Sequence, residues 1–137
     1  MAKKAGVLIV EDEPDVVAVM QGLLQGKEYL VDSALGGKEG LERIKNEKNG
    51  KYDVILLDIR MPEVTGRDIL GWMKKEKITT PVIVVTAVAL ATDVRLELEG
   101  KYRIAGFVSK MYMSKDLLTE IERVLAKKKK MADGHGI

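Results

Sequence analysis

The fold is decided by Val54-Ile55-Leu56-Leu57-Asp58. Four branched apolar residues with no polar alternate describe a strand covered on both faces, as in the interior of a parallel sheet. The acid that follows therefore stands where a strand leaves the sheet. Two other stretches repeat the arrangement: residues 7–10 run into Glu11-Asp12-Glu13, and residues 82–85 run into Thr86. Residues 29–33 and 104–109, the latter followed by Lys110, are weaker runs that complete a set of five.

Helical patterns lie between these strands. Pro14 suits the first position of a helix whose apolar face is Val16, Val17, Met20, Leu23 and Leu24. Leu41 and Ile44, with Tyr52 as a candidate extension, follow Gly36-Gly37; Ile69, Leu70 and Met73 mark a third helix. Leu117, Leu118, Ile121, Val124 and Leu125 mark the last. Residues 93–99 alternate like a strand, yet Leu90, Val94 and Leu98 recur every four residues. A lone strand there leaves no length for a right-handed crossover, so a helix is predicted, with Leu96 off its buried face. Five βα units give an α/β fold: a doubly wound, five-stranded parallel sheet of flavodoxin-like strand order 2-1-3-4-5.

At 137 residues and 46% hydrophobic content the chain suits one domain, predicted over residues 1–126, with residues 127–137 a basic helix end and flexible tail. The tail holds Lys127–Lys130 and carries +3, so the body carries −1 and the basic pI belongs to the tail. That distribution argues against a nucleic-acid partner, whose binding domain would carry its charge on a folded face. There is no cysteine, no apolar stretch of membrane-spanning length and no signal-peptide pattern. A cytoplasmic protein with no membrane partner is expected. Gly36-Gly37-Lys38 lacks the rest of a phosphate-binding loop, and His135, the sole histidine, lies in the polar tail. Trp72 and the methionines read as helix packing or surface, not as a cofactor box.

The strand ends carry the chemistry. In the predicted order the first and third strands are neighbours about 4.8 Å apart, which sets Asp12 and Asp58 at one mouth with Glu11 beside them. Like charges about 4 Å apart repel by roughly 4 kcal/mol at an effective dielectric of 20. A divalent cation that prefers hard oxygen ligands, Mg2+ above all, would relieve this, and Lys110 can add positive charge.

Five segments in this order resemble a response-regulator receiver domain over about residues 5–126. They are Val10-Glu11-Asp12-Glu13-Pro14, Asp58 with Met61-Pro62 and Gly66, Val84-Val85-Thr86-Ala87, Gly106-Phe107-Val108-Ser109-Lys110, and Gly37-Lys38-Glu39-Gly40-Leu41. The resemblance implies a stand-alone phosphorylation switch, a regulatory domain and not an enzyme, though one that promotes its own phosphorylation and dephosphorylation. Asp58 would accept a phosphoryl group from a sensor histidine kinase or phosphotransfer protein, and the protein would then change its surface toward an effector. Mg2+ would be held by Asp12, Asp58 and the carbonyl of Arg60, with Glu11 acting through water. Lys110 and Thr86 would contact the phosphoryl oxygens, Phe107 would be the switch aromatic, and Arg60 and Val88 would flank the path of the hydrolytic water. A monomer or weak dimer is expected. A phosphate sink or relay and an unphosphorylated docking scaffold are the alternatives; an external phosphohydrolase lacks a general base. One departure stands out: Met111 replaces the proline that the family carries after its lysine, so a trans bond is expected there.

Overall fold

The computed structural model describes residues 4–47, 50–87 and 92–134. Five strands, β1 (Ala5–Glu11), β2 (Tyr29–Leu35), β3 (Val54–Leu57), β4 (Val82–Thr86) and β5 (Gly106–Ser109), alternate with five helices. The helices are α1 (Pro14–Leu24), α2 (Gly37–Asn46), α3 (Gly66–Lys75), α4 (Thr92–Lys101) and α5 (Met113–Gly134). All strands are parallel, in the order β2-β1-β3-β4-β5. The doubly wound topology is thus the one the sequence predicts.

Alternation along the strands builds two cores. Val7 and Ile9 of β1 point to one face, where they meet Val17, Met20 and Leu24 of α1 and Leu117 and Ile121 of α5. Leu8 and Val10 point to the other, against Ile44 of α2, Ile69 and Leu70 of α3 and Leu98 of α4. Each such Leu or Ile stabilises the fold by about 1.5–3 kcal/mol relative to exposure, which explains the unbroken apolar runs within β1, β3 and β4.

Local chemistry sets the helix ends. Pro14 opens α1, where a missing N–H loses nothing. Thr65 caps α3 by accepting from Asp68 N–H at 3.2 Å, and the Asp68 carboxylate accepts from Thr65 N–H at 2.9 Å. Such a cap contributes about 1 kcal/mol. After α3 the chain turns through Lys77 at φ 57°, and Ile78 N–H returns to the Met73 carbonyl at 2.8 Å.

The structure departs from the sequence reading in places. Tyr52 is not in α2, which ends at Asn46; the chain turns at Gly50 (φ 77°), and the buried Tyr52 phenol donates to Asp32 at 2.8 Å. The fifth strand begins at Gly106 and the second extends to Leu35. Residues 92–101 are helical as predicted, with Leu98 buried and Leu96 63% exposed. Val88, Leu90 and His135 lie outside the described residues.

Candidate functional site

Sheet register aligns the reactive ends. Val10 pairs with Leu57, Leu57 with Val84, and Val84 with Phe107. Glu11 and Asp58 therefore leave β1 and β3 side by side, Asp58 N–H donating to the Val10 carbonyl at 3.1 Å. Thr86 ends β4 opposite Ser109 of β5, and Lys110 follows. Close packing keeps this edge in place: a Cβ at Gly66, the first residue of α3, would stand 2.5 Å from the Asp58 carbonyl oxygen. Nothing larger than glycine fits there.

Glu11 is fully buried and Asp58 is 3% exposed. Glu11 Oε2 accepts from the backbone N–H groups of Asp12 (2.9 Å) and Glu13 (3.4 Å), which folds the turn into α1 around its own carboxylate. Its other oxygen is ion-paired with Lys110 Nζ. That ammonium also lies 3.4 Å from Asp58 Oδ2 and 3.9 Å from Glu13 Oε1. Asp58 Oδ1 accepts from Arg60 N–H at 3.3 Å, while the Arg60 side chain is exposed.

The electrostatics follow from burial and crowding. Burial pushes the Glu11 carboxyl up to about 7 against the pull of Lys110, with Asp58 and Asp12 adding to the rise. Burial works against the Lys110 ammonium, but Glu11 and Asp58 outweigh it and hold its pKa above the ordinary lysine value. One lysine thus serves several carboxylates.

Carboxylate oxygens of Glu11, Asp12 and Glu13 come within 4.8 Å of one another. Asp12 Oδ1 is buried without a hydrogen-bond partner, a costly state for a carboxylate oxygen unless a cation lies against it. A hard divalent cation such as Mg2+ fits this donor set. Glu13 belongs to the cluster although the sequence reading assigned it no role; its position directly after Asp12 was the available signal.

The site brings Glu11, Asp12, Asp58 and Lys110 together, with buried Thr86 at the end of the next strand. Phe107 lies farther along β5, half-buried, with the Arg95 guanidinium 4.8 Å from its ring centroid. Arg95 had no sequence signal, since the contact joins α4 to β5. No cis peptide occurs among the described residues. After β5, Lys110–Tyr112 form a 3-10 turn capped by Ser109, whose Oγ accepts from Met111 N–H at 3.2 Å. From this turn Lys110 reaches Glu11 and Asp58.

A buried acid at the carboxyl end of the third strand, a hydroxyl on the last residue of the fourth and a lysine after the fifth define a class of regulatory domain. The chain belongs to the response regulator receiver domain family, which matches residues 7–122. It is 33% identical over 124 residues to the response regulator SaeR of Staphylococcus aureus, a match covering 90% of this chain and 52% of that protein. The chain thus spans about half the length of the curated relatives it matches. Among solved structures it resembles a response regulator receiver domain protein from Clostridium thermocellum (TM-score 0.80, 26% identity, covering 93% and 98% of the two chains). It also resembles the response regulator TrrA from Thermotoga maritima, crystallised in complex with Mg2+-BeF (TM-score 0.73, 27% identity, covering 88% and 99%). Among the described residues no helix is long and apolar enough to cross a membrane.

Proposed function

We propose that this domain is a phosphorylation-activated switch whose phosphoacceptor is Asp58. The observation that carries this reading is the Asp58 carboxylate itself: buried at the strand edge, hydrogen-bonded through Oδ1 and facing Lys110 through Oδ2. A phosphohistidine of a sensor kinase or phosphotransfer protein would donate. A bond forms between an Asp58 oxygen and phosphorus, the N–P bond breaks, and the imidazole leaves with its electron pair and takes up a proton. Positioning and charge neutralisation carry such a transfer. Asp12, Asp58 and the Arg60 carbonyl, with Glu11 acting through water, would hold Mg2+, which would supply positive charge to neutralise the transferred group. Lys110 moves its ammonium from the carboxylates to a phosphoryl oxygen, and the Thr86 hydroxyl donates to another. Phe107 follows Thr86 inward, and the surface of α4, β5 and α5 changes toward an effector protein. The site would work in the cytoplasm, where kinase phosphodonors reside.

Arg60 and Val88 tune the lifetime of the signal. Val88 is apolar and cannot orient a hydrolytic water, so slow self-dephosphorylation is expected. Val88→Glu and Val88→Asn should speed decay about tenfold, equivalent to about 1.4 kcal/mol in the barrier.

Intact-mass measurement after incubation with acetyl phosphate tests the acceptor. Wild type should gain one phosphoryl group in Mg2+ and Asp58→Asn none. Labelling of Asp58→Asn, or equal labelling of wild type in excess EDTA, overturns the assignment.

A further inference from the structure

The end of the sheet opposite Asp58 has a strongly basic surface. Three segments distant in sequence, 74–77, 101–103 and 127–130, meet there around the amino-terminal ends of β4 and β5. They hold nine Lys or Arg residues against a single carboxylate, Glu76. Two adjoining grooves demonstrate the convergence. One, of about 330 Å³, is rimmed by Lys74, Lys77, Lys101 and Arg103. The other, of about 460 Å³, is rimmed by Arg103, Lys127 and Lys128 and ends at Met131. They share Thr79 and Arg103.

Helix dipoles explain part of this. α3, α4 and α5 all finish at this end, and a cation in the last turn of each is favourable. Lys74 has that role, donating to the Lys101 carbonyl at 2.8 Å, and Lys128 pairs with Asp53 at 3.1 Å. The side chains of the other seven cations are exposed and make no ion pair or hydrogen bond among the described residues. Lys77 and Arg103 lie in connections beyond the helix ends. Lys127, Lys129 and Lys130 point in different directions around α5, because each residue turns the helix by about 100°. The surplus therefore exceeds what the dipoles require.

We propose that this end of the domain docks on an anionic lipid bilayer. Eight of the nine cations are lysines, whose mobile ammonium groups suit a plane of phosphates, whereas a fixed bidentate target would favour arginine. A single-stranded nucleic-acid track would interleave aromatics for base stacking, and Tyr102, the one aromatic in these segments, is half-buried. Met131, 60% exposed and directly after the lysine run, gives an apolar tip for shallow insertion. Docked this way, the acidic edge carrying Asp58 faces away from the bilayer. The sequence, read for spanning segments and net charge, predicted no membrane partner; folding collects charges that the linear chain disperses.

The test is co-sedimentation of the whole chain with vesicles of phosphatidylcholine containing about a third phosphatidylglycerol. Each lysine near such a surface strengthens partition by about fivefold at moderate salt. Wild type should bind these vesicles, ignore pure phosphatidylcholine and dissociate at about 0.5 M salt, where screening is nearly complete beyond a few ångströms. A Lys77→Gln/Lys101→Gln/Lys127→Gln variant, which removes unpaired cations that rim the two grooves, should lose at least tenfold in partition while keeping its unfolding midpoint. Absence of binding to the anionic vesicles overturns the proposal. So does undiminished binding by the folded triple variant, or tighter binding to a DNA duplex than to the vesicles at equal salt.

Discussion

Asp12→Asn should make the metal-free protein more stable and the Mg2+-treated protein less stable than wild type. Asp12 Oδ1 is buried without a partner, and its carboxylate lies within 4.8 Å of those of Glu11 and Glu13. Two full charges at that separation repel by about 3 kcal/mol at an effective dielectric of 20. Lys110 and the raised proton affinity of Glu11 screen most of this, so a gain of about 1 kcal/mol is expected on neutralising Asp12 in EDTA. Mg2+ acts in the other direction. At a concentration ten times its dissociation constant it stabilises the folded state by about 1.4 kcal/mol, provided the ligand set is intact. Wild type should gain that amount and Asp12→Asn almost none, so their order of stability reverses. Urea unfolding of both proteins, with EDTA and with Mg2+, reads the four values directly. A variant less stable than wild type in EDTA would refute the crowding argument; a variant stabilised as much as wild type by Mg2+ would place the ion elsewhere.

Other perturbations test neighbouring contacts. Arg95→Ala removes the guanidinium from the Phe107 ring, a contact worth about 0.5–1 kcal/mol at an exposed site. The inward population of Phe107 should rise about two- to fivefold, visible in its ring NMR shifts, and unchanged shifts would deny Arg95 a restraining role. Gly37→Ala should destabilise strongly, since its Cβ would collide with the Val64 carbonyl, whereas Gly71→Ala meets nothing within 4 Å in the middle of α3. The latter should stabilise by about 0.5–1 kcal/mol in chemical denaturation. The Asp32 carboxyl is partly buried, which opposes ionisation, but Tyr52 and Lys51 hold its pKa below the ordinary 3.8. A lowered folded pKa contributes stability above 3.8 that is lost as pH falls through the folded value. Tyr52→Phe should therefore lower stability at neutral pH, and the difference should shrink as pH falls below 3.8 and through the folded value; a constant difference across that range would mean the phenol acts by packing alone.

The strand cores and the order of elements were legible in the sequence because burial on both faces leaves an unbroken apolar run. Runs 7–10, 54–57 and 82–85 could be nothing but interior. The acids that terminate the first two were legible for the same reason, since an ionisable residue directly after such a run must stand at the sheet edge. The sequence also decided the fourth helix, because a lone strand at residues 93–99 leaves no length for a right-handed crossover. Tertiary structure decided what depends on approach between segments. It turned Tyr52 out of α2 and onto Asp32, gave Met111 N–H the Ser109 hydroxyl as its partner, and set Arg95 over Phe107. Charge shows the difference most plainly. Net charge is additive along the chain and reports a near-neutral body with a basic tail. Electrostatic potential depends on distance, and only a fold that ends three helices at one edge of the sheet could gather residues 74–77, 101–103 and 127–130 into a single surface.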